Sequence, residues 1–389
     1  MIILIKSSLP DPRRPSRGIF ALKLAYYLSQ YESVVVCYPA FRGDVAYSLG
    51  LLPWVDKSRL NIMPLVSFPG LNRFPYIQNL LWTLQLYLKI NGHVANERIC
   101  IFAYFFFPGA PLFANLKRIF NNIITVVHHS ESIDIHSMSP SCKINIFPLF
   151  RSTNLVIVNN PDYETDLLKL NSDRISESNV KIKYIPSGYD DRAVKLVLSR
   201  VKSESALHTS DYSQLNICCI GTITPRKGQQ TIINALARLD LSTKSNQYYR
   251  YERICLNLIG PHEVALSIPQ LDNIHINFLG SLPHEDCLIK LIYNDLVCQP
   301  SSSEGMSNVV VEAIALRKPI VMSDIPSNRY LASPNTKSLF PSSCNTDHLA
   351  TLFRSIITGE LDIESLIIDP VNVLTLSQRA RKVYEAINE

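Results

Sequence analysis

No two of the nine cysteines stand as Cys-x-x-Cys, no signal-peptide pattern opens the chain, and charged residues make up only 18% of its 389 positions. The cysteines (Cys37, Cys100, Cys142, Cys218, Cys219, Cys255, Cys287, Cys298 and Cys344) lie scattered, mostly in apolar segments, and their number is odd. That excludes a zinc ribbon and a disulfide framework, and predicts free, buried thiols in a reducing cytoplasm. No apolar run reaches the roughly 18 residues of a membrane span. The longest candidates are 101–107 and the region 80–88, which Gln85 interrupts. The first apolar stretch, Ile2 to Ile5, is too short for the core of a signal peptide, so a cytoplasmic chain is expected. No basic helix or aromatic-basic platform points to nucleic acid.

What is present is a well-packed globular composition, 47% apolar, in a length that suits two domains of roughly 150 to 200 residues. Charge is uneven. Residues 1–195 hold 21 basic and 14 acidic side chains, and residues 196–389 hold 17 and 19. The basic first half suits an anionic partner such as a lipid diphosphate or an anionic membrane face, or is simply a solvated surface.

Strands alternate with helices in both halves, the pattern of parallel sheets joined by crossovers. In the first half, strands are expected at 2–5, 33–38, 98–105, 123–128, 155–159 and 181–185, with a helix over 19–30 after a Pro- and Arg-rich loop. In the second, strands are expected at 214–220, 253–259, 274–278 and 296–299, with helices over 229–238 and 376–388. The polar run 202–213 reads as a linker. The fold class is therefore α/β, with two parallel-sheet domains. Their bounds are 1–195 for the first, 196–213 for the linker, 214–370 for the second and 371–389 for a terminal helix.

The most informative segment is Pro300-Ser301-Ser302-Ser303-Glu304-Gly305-Met306-Ser307-Asn308-Val309-Val310-Val311-Glu312. A short buried strand precedes it and an apolar helix face follows, with Ser307 or Asn308 as the cap. Glu304 then sits on a loop and Glu312 one to two turns into the helix. Helical side chains lean toward the N-terminus, so Glu312 is expected to point back to the mouth that holds Glu304 and the free amides of Gly305, Met306, Ser307, Asn308 and Val309. Carboxylates for hydroxyl groups beside a positive helix end for phosphate match a nucleotide sugar.

This segment resembles the paired-glutamate motif of retaining glycosyltransferases of family four, which have two facing Rossmann-like domains of the GT-B type. The continuation Arg317-Lys318-Pro319-Ile320-Val321-Met322-Ser323-Asp324-Ile325-Pro326 is also similar, although a small residue, often Gly, usually stands where Arg317 is. The resemblance implies a cleft between the domains, a terminal helix crossing back to the first domain, and an acceptor site in that domain.

The loop from Gly221 to Gly228 follows a strand, opens a helix and carries Lys227 just before Gly228, as in the family's phosphate-contacting loop. An Arg commonly follows the first Gly there. Here Thr222 takes that place and Arg226 stands beside Lys227. Cations at a helix start oppose its dipole unless an anion is bound, which favours phosphate contact. The strand ending in His128-His129-Ser130-Glu131 resembles the family's His-Gly-x-Asp, with His129 in the place of Gly. A neutral His128 is expected to hydrogen-bond the sugar. Arg17 and Gly18 precede the first helix, where the family has a glycine-rich turn touching phosphate. The stretch Pro186-Ser187-Gly188-Tyr189-Asp190, near which the first domain is expected to close, resembles the family's architectural turn after the last strand of that domain, and Leu282 falls where the family's main chain reads the base.

The resemblance thus implies a metal-independent, retaining hexosyltransferase with no cofactor beyond its nucleoside diphosphate sugar co-substrate. Expected catalytic residues are His128, Glu304 and Lys227. Donor contacts are expected from Arg17, Gly18, Arg226, Leu282, the 305–309 segment and Glu312, with no metal ligands. Polysaccharide or lipid-linked glycan assembly on the inner membrane face is the expected setting. The loops 105–111 and 51–54, or a plain core, account for the aromatics that suggest bilayer contact. A nucleotide-sugar epimerase, a phosphorylase of the same fold, and a non-catalytic partner of another transferase remain the alternatives.

Overall fold

The computed structural model describes residues 1–39, 44–51, 56, 58–66, 75–91, 98–104, 111–120, 122–129, 151–171, 180–204, 213–239, 249–332, 336–341 and 346–389. They form two compact units: Met1–Pro186 with Leu376–Glu389, and Ser187–Thr375. Glu131, Cys142, Cys344, loop residues 105–110 and 52–55, and residues 205–212 of the expected linker lie outside the described residues.

In the first unit, the described strands are β1 (Ile2–Ile5), β2 (Val34–Pro39), β3 (Leu60–Leu65), β4 (Ile99–Ala103), β5 (Ile123–His129), β6 (Leu155–Val158) and β7 (Lys181–Tyr184). They form one parallel sheet in the order β3-β2-β1-β4-β5-β6-β7. The central strands are apolar at every position and buried on both sides, as sheets covered by helices on both faces require. Alternate residues serve opposite faces. Ile2 and Leu4 enter a core with the Ile19–Leu28 helix, whereas Ile3 and Ile5 enter one with Trp82, Leu86 and Phe113. β3 escapes a search for apolar runs because Asn61 and Pro64 face solvent.

The helix Leu376–Asn388 buries Leu376, Ala380, Val383 and Ile387, one stripe at helical spacing, in the core beside Ile19–Leu28. Tyr384 stacks on Tyr31 with centroids 4.9 Å apart. The last thirteen-residue helix is thus part of the first unit, not an appendage.

In the second unit, β9 (Gln214–Ile220), β10 (Arg253–Ile259), β11 (Ile274–Gly280), β12 (Leu296–Gln299), β13 (Ile320–Asp324) and β14 (Leu339–Pro341) form a parallel sheet ordered β11-β10-β9-β12-β13-β14. A two-strand pair, β8 (Gly188–Tyr189) with β15 (Leu374–Thr375), closes it.

The domain boundary differs from the sequence reading. The segment Asp191–Glu204, expected to end the first domain and begin a linker, is a helix of the second unit. Asp190 accepts from the N–H groups of Arg192 and Ala193 at its start, while Ala193, Val194 and Val197 are buried with Leu288 and Val310. Burial of that apolar stripe outweighs the polar composition of the helix's last turn. The break therefore falls between Pro186 and Ser187, in the turn near which the first domain is expected to close, and not at the bound of 195.

Among the described residues no helix is long and apolar enough to cross a membrane. The described thiols are free, and burial pushes those of Cys37 and Cys100 up to about 12.

Candidate functional site

Ligands of open parallel sheets bind outside the carboxyl ends of the strands, where the strand order reverses. In the second unit that point lies between β9 and β12. The chain leaves β9 into the Gly221–Gly228 loop and leaves β12 into the Pro300–Ser307 loop, and the two loops are laced together. Ser302 donates its N–H to the Arg226 carbonyl at 2.8 Å, and Arg226 Nη1 donates to the Ser303 carbonyl at 2.8 Å. The Ser323 hydroxyl, on the adjacent strand, donates to the Ser301 carbonyl at 2.6 Å.

Two glycines permit this approach. Gly228 has φ 73°, and a Cβ there would lie 2.4 Å from the Pro300 carbonyl oxygen. Gly221 has φ 150°, and a Cβ there would meet Lys227 Cε at 3.3 Å, so the lysine passes where any other residue's side chain would stand. Thr224 caps the 3-10 turn Pro225–Lys227, accepting from the Lys227 N–H. The buried Gln229 donates to the Thr222 carbonyl at 3.2 Å and fixes the loop from behind.

Three predicted site residues meet here. Lys227 Nζ lies 2.5 Å from Glu304 Oε1, and Arg226 Nη1 lies 3.2 Å from Glu304 Oε2. The Lys227 and Glu304 side chains are only 14% and 11% exposed, while Arg226 is 41% exposed. Burial pushes the Glu304 carboxyl up, but the Lys227 ammonium and Arg226 guanidinium outweigh it and hold the carboxyl below its ordinary range. The cations at the helix start do have the anion that the dipole argument demands, and it is Glu304.

Downstream, Ser307 occupies the N-cap of the helix Asn308–Ala315, and its side chain makes no capping hydrogen bond. The helix therefore has no side-chain cap to satisfy its first N–H groups. Gly305 and Met306 are buried, Asn308 and Val309 half-buried. The Met306 side chain packs into the core, its sulfur accepting the Ser187 N–H at 3.2 Å, so only its main chain is left for a ligand.

Glu312 is buried on this helix and faces His284, with Oε1 and Nε2 2.5 Å apart. Sequence reasoning missed His284. It opens the helix His284–Tyr293, two residues after Leu282, in the loop expected to read the base. Its signal was a histidine at the N-terminal end of an amphipathic helix, which is weak until the fold supplies a carboxylate 28 residues away. Leu282 itself is half-buried against the same core.

Arg317, where a small residue is usual, follows the helix's last residues with φ 53°. This left-handed position beyond a helix end favours glycine because it lacks a Cβ.

In the first unit, the strand order reverses between β1 and β4. Lys6 follows β1 and Tyr104 follows β4, with Lys6 Nζ 4.5 Å from the tyrosine ring centroid. Close by, His128, the next-to-last residue of β5, is fully buried, its ring 4.7 Å from that of Tyr104. His128 Nε2 lies 2.6 Å from Nη2 of Arg379, which comes from the terminal helix 251 residues away. A guanidinium only donates, so Nε2 is the acceptor and His128 is neutral with its proton on Nδ1. Arg379 is a second residue that the sequence reading missed. Gly18 is the left-handed N-cap residue of Ile19–Leu28, and the half-buried Arg17 donates its N–H to the Arg14 carbonyl at 3.1 Å. The loop they end is shaped by Asp11, which accepts from the N–H groups of Arg13 and Arg14.

Comparison with solved structures gives whole-chain likenesses at low identity. Anabaena Alr3699/HepE in complex with UDP-glucose superposes with a TM-score of 0.70 at 15% identity, over 100% of this chain and 99% of that one. Sucrose-phosphate synthase from Thermosynechococcus elongatus gives 0.65 at 16%, over 99% and 94%. Trehalose-6-phosphate synthase OtsA gives 0.69 at 11%, over 100% and 99%. No curated protein matches the chain in sequence. The fold is thus the two-domain GT-B arrangement of parallel sheets. Residues 204–367, which carry the Lys227 and Glu304 loops and the helix of Glu312, match the family described as Glycosyl transferases group 1.

Proposed function

We propose that the chain is a retaining, metal-independent glycosyltransferase of the hexosyltransferase type. It moves a sugar from a nucleoside diphosphate sugar to a hydroxyl of a glycan or lipid-linked acceptor, in polysaccharide or lipid-linked glycan assembly at the inner face of the membrane. The observation that carries this reading is the convergence of Lys227, Arg226 and Glu304 at the switch point of the second sheet, beside a helix start without a side-chain cap.

In this reading the diphosphate takes over the two cations, together with the amides of Gly305, Met306, Ser307, Asn308 and Val309. Glu304, released from them, accepts hydrogen bonds from the sugar hydroxyls and places negative charge near the positive anomeric center. Glu312, held by His284 through one oxygen, keeps the other for the ribose hydroxyls. The bond from the anomeric carbon to the leaving phosphate oxygen breaks with its electron pair going to that oxygen. The acceptor oxygen then bonds to the same face, and its proton passes to the leaving phosphate oxygen, so no protein base is needed. His128, expected to hydrogen-bond the sugar, is instead buried in the first unit with Nε2 against Arg379, so no step is assigned to it. The likeness to HepE, whose structure holds UDP-glucose, makes that the first donor to test.

Calorimetric titration with UDP-, GDP- and ADP-sugars tests the binding step. A panel of glycan and lipid-linked acceptors, with nucleoside diphosphate release followed, then tests transfer. Release that depends on acceptor, and a product with the donor's anomeric configuration, support the reading. Failure to bind any of these sugars refutes it, and release without acceptor favours a different reaction in the same site.

A further inference from the structure

The helix Pro75–Asn91 covers the first sheet with Trp82, Leu86 and Ile90, which are buried. It is pinned there by Trp82 Nε1 and Gln85 Nε2, which donate to the Val66 carbonyl at 3.2 and 3.3 Å. Its other face presents Ile77, Leu80, Leu84 and Leu88, exposed by 50, 65, 53 and 67%. Spacings of three, four and four residues put these four on one stripe about 16 Å long. A solvated helix places charged or polar groups on such a stripe. Single exposed leucines are ordinary, but an uninterrupted row of them marks an interaction surface.

The charges around the stripe indicate what covers it. The helix contains no acidic residue and carries Lys89 in its last turn. The helix Pro111–Ile119, which packs beside it, also has no acidic residue and ends in Lys117, Arg118 and Ile119, the last 48% exposed. A second copy docking here would set one face with cations and no acidic residue on its helices against another of the same kind, which offers no charge pairing. A bilayer with anionic headgroups meets both features, with acyl chains for the leucines and phosphates for the cations.

We infer that this face of the first unit rests on an anionic lipid surface, with Leu80, Leu84 and Leu88 at the acyl boundary and Lys89, Lys117 and Arg118 at the headgroups. The inference supplies a surface for the membrane setting proposed above and does not depend on the sugar chemistry.

Sedimentation of the full chain with phosphatidylglycerol–phosphatidylcholine vesicles, and with pure phosphatidylcholine vesicles, tests it. Binding to the anionic vesicles is expected, weakening as salt rises. The variant Leu80→Gln/Leu84→Gln/Leu88→Gln should bind less tightly by a factor of about ten or more. The variant Lys89→Gln/Lys117→Gln/Arg118→Gln should lose about a hundredfold, from roughly a factor of five per cation. Unchanged melting temperature and sugar-nucleotide binding in both variants separate this result from misfolding and from failure of the transferase reading. Equal binding to neutral vesicles, no binding at all, or a dimer in ultracentrifugation that the leucine variant dissolves would overturn the inference.

Discussion

Replacing Lys227 with methionine keeps most of the side chain that crosses Gly221 and removes its charge. In the native protein its ammonium lies 2.5 Å from a carboxylate that is 11% exposed. The bare attraction at that distance is on the order of 6 kcal/mol at an effective dielectric of about 20. The cost of desolvating both groups offsets much of it, and Arg226 remains at 3.2 Å from the other carboxylate oxygen. A loss of about 2–3 kcal/mol is therefore expected, a fall of about 5–10 °C in the melting temperature of a unit this size.

The pH dependence is more diagnostic. Native Glu304 is held below its ordinary 4.5, so its contribution to stability is present above that value and is lost as pH falls through its folded pKa. In Lys227→Met, burial is opposed by Arg226 alone and the Glu304 pKa rises. Protonation then relieves the variant earlier, so its deficit against the native protein should shrink between neutral pH and about pH 4.5. Adding Glu304→Gln should restore about 1–2 kcal/mol, because no charge is left buried beside the methionine. Scanning calorimetry of the full chain at the two pH values measures each quantity. A deficit that is the same at both, or a double variant no more stable than the single one, would refute the reasoning. Turnover of Lys227→Met, measured below its melting range, should fall by about a hundredfold to a thousandfold.

His284→Ala leaves the buried Glu312 carboxylate unpaired, and about 3 kcal/mol of stability should be lost. His284→Gln, which keeps a donor, should retain the fold and raise KM for the donor more than it lowers kcat. Arg379→Met should destabilise the first unit by about 3 kcal/mol, and nitrogen NMR of the His128 ring should show the Nδ1–H tautomer in the native protein and a mixture in the variant. Arg317→Gly should raise stability by about 0.5–1 kcal/mol in urea unfolding, since glycine suits φ 53° and the exposed pair with Asp369 that it removes contributes little.

The strands of the first sheet's center were legible because parallel strands buried on both faces are unbroken apolar runs, as in Ile2–Ile5 and Ile99–Ala103. The loops of Lys227 and Glu304 were legible for a related reason. Each follows such a strand directly, so its position at the carboxyl edge is set by local sequence. β3 and the helix Asp191–Glu204 were not, because solvent-facing residues dilute their apolar pattern and only the finished core identifies which side is buried.

By itself the sequence determined the alternation of strands with helices, most strands of the two parallel sheets, and the residue types at the edge where a phosphate is expected. Tertiary structure alone decided which charges meet: Glu304 with Lys227 and Arg226, Glu312 with His284, His128 with Arg379. The physical reason is that hydrophobic periodicity is read over a few neighbouring residues. A buried ionic or polar group, in contrast, needs a partner at about 3 Å, and residues up to 251 positions apart reach that distance only when the whole core has packed.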